Sequence, residues 1–307
     1  MIETKDLCKS FDGAKALDKV TLTVSDGEIT GLVGTNGAGK STLLRLMAGV
    51  LKPDAGTITV DGQPVWDDPK AKSQFVFVSD DPYFFNNATP KDMADYYRSL
   101  YPAFDKAQFD RLIKAFDLEM TRRVATFSKG MKRQLAILLA VCAKTKYVLL
   151  DETFDGLDPV MRAAVKSLFA NEMSERGLTP LISSHSLREL EDICDHVGLL
   201  HKGGLLLSED LDDMKTGLLK LQCVFSDEND AQNVSKSLKV LSDERQGRLH
   251  VMTVRGTREQ VTERMNCAGA LGSPSCCGRP AKLFSFSMSA SFSGFFSKLT
   301  NTDAVCP

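Results

Sequence analysis

Up to about Leu221, apolar residues fall into short β-rich runs separated by longer stretches with helical spacing, the pattern of a layered α/β domain. The runs predict strands at Ile2–Leu7, Leu17–Val24, Ile29–Val33, Thr57–Val60, Phe75–Ser79, Tyr147–Leu150, Thr179–Ser183 and Val197–His201. Helices are predicted at Lys40–Ala48, Pro90–Leu100, Lys106–Phe116, Ser128–Ala143, Pro159–Arg176 and Leu187–Cys194. Tyr147–Leu150 is apolar at every position, as expected of a parallel strand covered on both faces. From Leu221 the texture changes to a small α+β module over 221–265, with strands at Leu221–Phe225 and Leu249–Val254 and helices at Ala231–Leu238 and Thr257–Met265. After Asn266 it breaks again. Only Arg279, Lys282, Lys298 and Asp303 are charged in the last 42 residues, while Ser and Phe alternate through Leu283–Phe296. Two readings of 266–307 stay open, a low-complexity disordered tail or a segment translated in a shifted frame.

Composition narrows the classes. A length of 307 residues allows about two domains, and 43% hydrophobic with 25% charged residues is ordinary for a globular protein. A net charge of -2 disfavours a nucleic-acid partner, which calls for a basic face. The longest apolar stretch, Leu135–Ala143, has nine residues, far below the ~20 that cross a bilayer. Met1–Lys9 contains no signal-peptide core, so the expected compartment is the cytoplasm. The eight cysteines show no paired metal spacing and read as reduced thiols.

Gly34-Thr35-Asn36-Gly37-Ala38-Gly39-Lys40-Ser41-Thr42 carries the spacing GxxxxGK[ST] between a predicted strand and a predicted helix. Its glycines let successive backbone N–H groups curl around β- and γ-phosphates, and the helix N-terminus adds its positive dipole end. Lys40 would reach the β/γ oxygens and the Ser41 hydroxyl would ligate Mg²⁺. Some 110 residues on, Asp151 and Glu152 end the apolar run Tyr147–Leu150, at the strand tip where α/β sheets bind ligands. Asp151 would hold Mg²⁺ through its water shell, and Glu152 would take the proton of the water attacking the γ-phosphate.

Further motifs choose among phosphate-loop families. Phe127-Ser128-Lys129-Gly130-Met131, followed by Lys132-Arg133-Gln134 and an apolar helix, resembles the signature motif of ABC transporter ATP-binding subunits. Ser128 can also cap the helix, and with the Gly130 N–H it can present donors to a γ-phosphate. The resemblance implies that this phosphate sits on an opposing protomer, so that two chains sandwich two ATP molecules. Gly156-Leu157-Asp158-Pro159 is similar to the family's D-loop, with Asp158 also placed as a helix N-cap. His185 matches the switch histidine that contacts the γ-phosphate, and Phe11 the aromatic that stacks on adenine. Two positions depart from the family pattern. Asp80 stands where the family usually has Gln near Mg²⁺ and the attacking water, and Thr153 where many members have Pro. Asp80 is shorter than Gln but is a stronger ligand for a hard cation.

The resemblance covers about residues 1–220 and implies an α/β P-loop ATPase domain with a helical subdomain near 86–143. It also implies ATP and Mg²⁺ as cofactors, transmembrane permease subunits as partners, and a second copy or paralogous ATPase completing the dimer. The expected role is an ATPase subunit on the inner face of the cell membrane, powering export of a drug, peptide or lipid. A non-transport ATPase of the same superfamily, acting on a macromolecular complex, is the alternative. A GTPase is disfavoured because no [NT]KxD follows the phosphate loop, and a non-hydrolysing module because Lys40, Ser41, Asp151, Glu152 and His185 are all present.

Overall fold

The computed structural model describes residues 1–154, 156–211, 218–224, 234, 237–246, 249–256, 258–267 and 282–288. The chain divides into two units, Met1–Glu209 and Asp210–Pro307.

In the first unit the order is β1 (Ile2–Phe11), β2 (Ala14–Val24), β3 (Thr30–Val33), α1 (Lys40–Met47), β4 (Ala55–Val60), β5 (Gln63–Pro64), α2 (Pro69–Lys72) and β6 (Phe75–Val78). Then come α3 (Pro90–Leu100), α4 (Lys106–Ala115), α5 (Lys129–Cys142), β7 (Tyr147–Asp151), α6 (Pro159–Arg176), β8 (Thr179–Ser184), α7 (Leu187–Glu191), β9 (His196–His201) and β10 (Gly204–Asp210). β5, α2 and β10 were not predicted, and α7 ends three residues before the predicted Cys194. β5 spans only two residues and α2 four, too short for either period to register. β10 interleaves half-buried and exposed positions, a weak pattern at the end of a sheet.

Two sheets form this unit. The antiparallel sheet has the order β2-β1-β4-β5, and the six-stranded sheet the order β10-β9-β3-β8-β7-β6. The pairs β3–β8, β3–β9, β6–β7 and β7–β8 are all parallel. β3, β7 and β8 are buried at every position, which explains their unbroken apolar or small-residue sequence. The core joins both sheets: Ile2, Leu7, Val20 and Val60 pack with Leu43, Leu44 and Met47 of α1 and with Leu32, Leu149 and Leu181.

Parallel register aligns the strand ends. Val33 pairs with Ser184, Asp151 with Ser183, and Val78 with Leu150. The loops after β3, β6, β7 and β8 therefore leave one edge of the sheet, the edge where doubly wound sheets bind ligands.

The helical part is held by specific ends. Thr89 and Asp92 form a capping box at the start of α3, Asp105 caps α4, Ser128 caps α5, and Asp158 caps α6 with Pro159 at its first position. A buried carboxylate links these helices. Glu172 of α6 accepts hydrogen bonds from Gln108 of α4, from Lys144 just after α5, and from Arg176 one turn along α6. Arg176 also donates to the Thr145 and Val141 carbonyls. Burial alone would raise the Glu172 pKa, but the bonds from Arg176, Gln108 and Lys144 outweigh it and leave the carboxyl below its ordinary value.

The second unit holds β11 (Leu218–Val224), β12 (Lys239–Gln246), β13 (Leu249–Arg255), α8 (Arg258–Cys267) and β14 (Lys282–Met288). They form an antiparallel sheet of order β12-β13-β11-β14, with α8 following β13. Leu221, Cys223, Met252, Val254 and Val261 are buried there. β11, β13 and α8 correspond to three predicted elements. The helix expected over Ala231–Leu238 lies largely outside the described residues. β12 was not predicted, because its sequence KVLSDERQ is half charged and pairs on one side only. Lys282–Met288, inside the stretch read either as a disordered tail or as a segment in a shifted frame, forms a strand against β11.

Candidate nucleotide site

The loop between β3 and α1 is shaped by close backbone contacts. A Cβ at Gly34 would stand 2.5 Å from the Leu200 carbonyl oxygen. Gly39 has φ +106°, and a Cβ there would stand 2.6 Å from the Ala16 carbonyl oxygen. Gly39 is also the N-cap of α1 and offers no side-chain cap. The first N–H groups of α1 are therefore left for an anion. Lys40, only 4% exposed, donates to the Gly34 and Thr35 carbonyls at 2.8 and 3.3 Å. Asn36 and Gly37 lie exposed at the loop tip, Ala38 is buried, and Ser41 and Thr42 are half-buried at the helix start.

The neighbouring strand tips meet this loop. Lys40 Nζ lies 3.1 Å from Glu152 Oε1, and the Ser41 hydroxyl donates to Asp151 Oδ1 at 2.9 Å. Glu152 follows β7 with φ +47°, a left-handed conformation that is costly for a residue with a Cβ and turns the chain sharply at the strand tip. His185, 52% exposed after β8, has Nδ1 3.8 Å from Glu152 Oε2. Ser183, which no motif in the sequence singles out, joins this cluster. Its hydroxyl donates to Asp151 Oδ1 at 2.7 Å, and it accepts from the Glu152 N–H through both its carbonyl and its hydroxyl at 3.1 Å. Its only signal was a hydroxyl in the penultimate position of a buried strand beside the one that carries Asp151.

A second group gathers around Gly156. A Cβ at Gly130 would stand 3.6 Å from the Gly156 carbonyl oxygen. Ser128 is exposed, and its hydroxyl accepts from the Met131 N–H at 3.2 Å. Asp158 accepts from the Met161 N–H at 2.9 Å. Among the described residues no hydrogen bond or ion pair joins Ser128, Gly130 or Asp158 to the loop 34–42. Asp80 is exposed in the loop after β6, with its carboxylate accepting from the Asp81 N–H and its carbonyl held by Arg133. Phe11, 43% exposed, lies at the hairpin end of β1, where it pairs with Ala14 two residues before the Ala16 that abuts Gly39. The Lys9 ammonium lies 5.5 Å from its ring centroid.

A glycine loop on a helix start, a buried lysine and paired carboxylates at the tip of the next parallel strand but one define a P-loop nucleotide-binding protein. The ABC transporter family model matches residues 17–155. The ABC transporter ATP-binding protein YtrB of Bacillus subtilis (strain 168) is 37% identical over 225 residues, 73% of this chain and 77% of that protein. The bacitracin transport ATP-binding protein BcrA of Bacillus licheniformis is 33% identical over 235 residues, 75% of this chain and 77% of that protein. A solved ATP-binding subunit of an ABC transporter is 30% identical, covers 70% of this chain and 92% of that one, and has a TM-score of 0.64. The chain belongs to the ABC transporter family, among its ATP-binding subunits. Among the described residues no helix is long and apolar enough to cross a membrane.

Proposed function

We propose that this chain binds ATP and hydrolyses it to ADP and phosphate, and that it powers export through separate transmembrane permease subunits. The observation that most supports the chemistry is the meeting of Lys40 with Glu152 at 3.1 Å and of Ser41 with Asp151 at 2.9 Å. Phosphate oxygens on the N–H groups of 37–42 would replace the Gly34 and Thr35 carbonyls around Lys40. Drawn toward that charge, Lys40 would give up Glu152, whose freed carboxylate takes the proton of the attacking water. His185 would orient that carboxylate and meet the γ-phosphate. Phe11, with Lys9 against its ring, would stack on adenine with the open face.

The candidate donors are hard oxygen: the Ser41 hydroxyl and the Asp151 carboxylate, which meet at 2.9 Å, and the carboxylate of Asp80 in the loop after β6. They suit Mg²⁺, which uses one or two carboxylates together with substrate phosphates and water. Ser41 and Asp80 would hold the ion directly and Asp151 through water. Bound there, Mg²⁺ neutralises charge on the β/γ oxygens.

Ser128 is exposed at a helix start and is not bonded to its own chain's phosphate loop. Ser128 and Gly130 of a second copy or paralogous subunit would close over the γ-phosphate, with Asp158 at the same seam. Cargo of drug, peptide or lipid type is supported by the similarity to a bacitracin transport protein. The permease partners would hold the chain on the inner face of the membrane, with no nucleic acid involved, in keeping with the net charge of -2. In the test, Glu152→Gln keeps ATP binding, loses turnover, and elutes as a dimer when ATP is present. Unchanged turnover in that variant rules out Glu152 as the base.

A further inference from the structure

Three segments of the site converge on Arg133, a residue the hydrolysis scheme leaves unused. It sits in the second turn of α5 and is 6% exposed. Its Nε and Nη2 donate to the main-chain carbonyl of Asp80, each at 3.3 Å. Its Nη1 lies 3.4 Å from where a Cβ of Gly156 would stand, and the Gly156 carbonyl in turn faces Gly130. One guanidinium therefore bonds the loop after β6 and lies beside the turn that leads into α6 while riding on the helix that starts at Ser128.

Its fork is not fully used by the protein. A guanidinium has five N–H donors, and among the described residues its hydrogen bonds are the two long ones to a single neutral carbonyl. A buried cation without an anion is costly, and an arginine fork fits a carboxylate best. The Asp80 carboxylate is exposed, and among the described residues its hydrogen bond is the one from the neighbouring Asp81 N–H. It hangs from the same residue whose carbonyl is gripped, which keeps it within a side chain's length of the fork.

We propose that Arg133 is a positioning residue that competes with a nucleotide-bound metal for the Asp80 carboxylate. This rests on the reading that Asp80 belongs to the metal's ligand set. With the carboxylate on the fork, the Asp80 loop and the Gly156 turn are clasped together. When the carboxylate moves to the metal, the clasp loses its anion and the turn leading to Asp158 is released. The short, charged Asp80 is what makes the exchange possible, since a neutral side chain would not discharge the buried cation.

The test uses the full chain and a non-hydrolysable ATP analogue, adenylyl imidodiphosphate. It reads the Mg²⁺ concentration that gives half the analogue-induced rise in melting temperature. R133Q removes the competitor and should lower that midpoint about fivefold, the low end of coupling between linked sites. R133K keeps the charge without the fork and should lower it about twofold. D80N should raise the midpoint, and neither Arg133 substitution should shift it further in the D80N background. The proposal is overturned if either Arg133 substitution shifts the midpoint equally with and without D80N. An R133Q midpoint within twofold of wild type overturns it as well. A wild-type chain whose analogue binding ignores Mg²⁺ overturns the metal reading and this proposal together, whereas a Mg²⁺-dependent wild type without the epistasis overturns this proposal alone.

Discussion

Replacing Glu172 by Gln probes the link between the helical part and the strand that carries Asp151. The Glu172 side chain is 2% exposed and serves as the shared anion of Lys144 and Arg176, whose side chains are about a fifth exposed. The substitution keeps the shape but leaves both cations without their carboxylate and turns one acceptor into a donor facing other donors. Breaking a buried ion pair costs about 3–5 kcal/mol, and the partial exposure of both partners lowers the expectation to roughly 2–3 kcal/mol. For a unit of this size each kcal/mol shifts the melting temperature by about 2–4 °C, so the variant should melt roughly 5–10 °C below wild type at pH 7. The pH dependence has a definite sign. The folded-state carboxyl lies below its ordinary value, so its stabilisation is complete above the unfolded-state pKa of about 4.3 and fades as pH falls through the folded-state value. Calorimetry of both proteins should show a constant gap from pH 7 to about 5.5 that narrows below about 4.3. A gap under about 1 °C at neutral pH, or one that widens in acid, refutes this account of the cluster.

Other substitutions separate backbone shape from chemistry. Gly39→Ala forces a Cβ to 2.6 Å from the Ala16 carbonyl oxygen at φ +106°, whereas Gly37→Ala meets open space at φ +81°. Both lose about 1–2 kcal/mol to the left-handed conformation, but only Gly39→Ala must also move backbone, so it should show the clearly lower melting temperature. Cys142 is fully buried and its thiol is pushed up to about 12, mainly by that burial. Iodoacetamide at pH 8 should leave Cys142 unmodified in the native protein and label it after denaturation, as peptide mass spectrometry would report. Rapid native labelling would contradict its placement.

The hydrophobic pattern made the parallel sheet legible, because β3, β7 and β8 are continuous apolar or small-residue runs that only a doubly covered strand requires. The loop between β3 and α1 was legible from its spacing between a strand and a helix, but not the distant Leu200 and Ala16 carbonyls that press on Gly34 and Gly39. Nor were Ser183 and Arg133. Their roles come from strand adjacency and from a helix crossing a distant loop, and no local pattern encodes either. β12 escaped because its charged side chains carry no period, and the strand Lys282–Met288 because its Ser/Phe alternation was read as low complexity rather than as the period of a strand.

Subunit complementation tests the shared site most directly. On the proposed arrangement, a chain carrying Lys40→Ala would lack its own phosphate grip, and one carrying Ser128→Arg would block its partner's γ-phosphate. In a mixed dimer one of the two sites draws Lys40 from the second chain and Ser128 from the first, and is intact. Random pairing in a two-fold dimer then restores about a quarter of wild-type turnover when the two inactive proteins are mixed in equal amounts. Turnover no higher than the sum of the separate proteins would mean that the ATP site is not built from two chains.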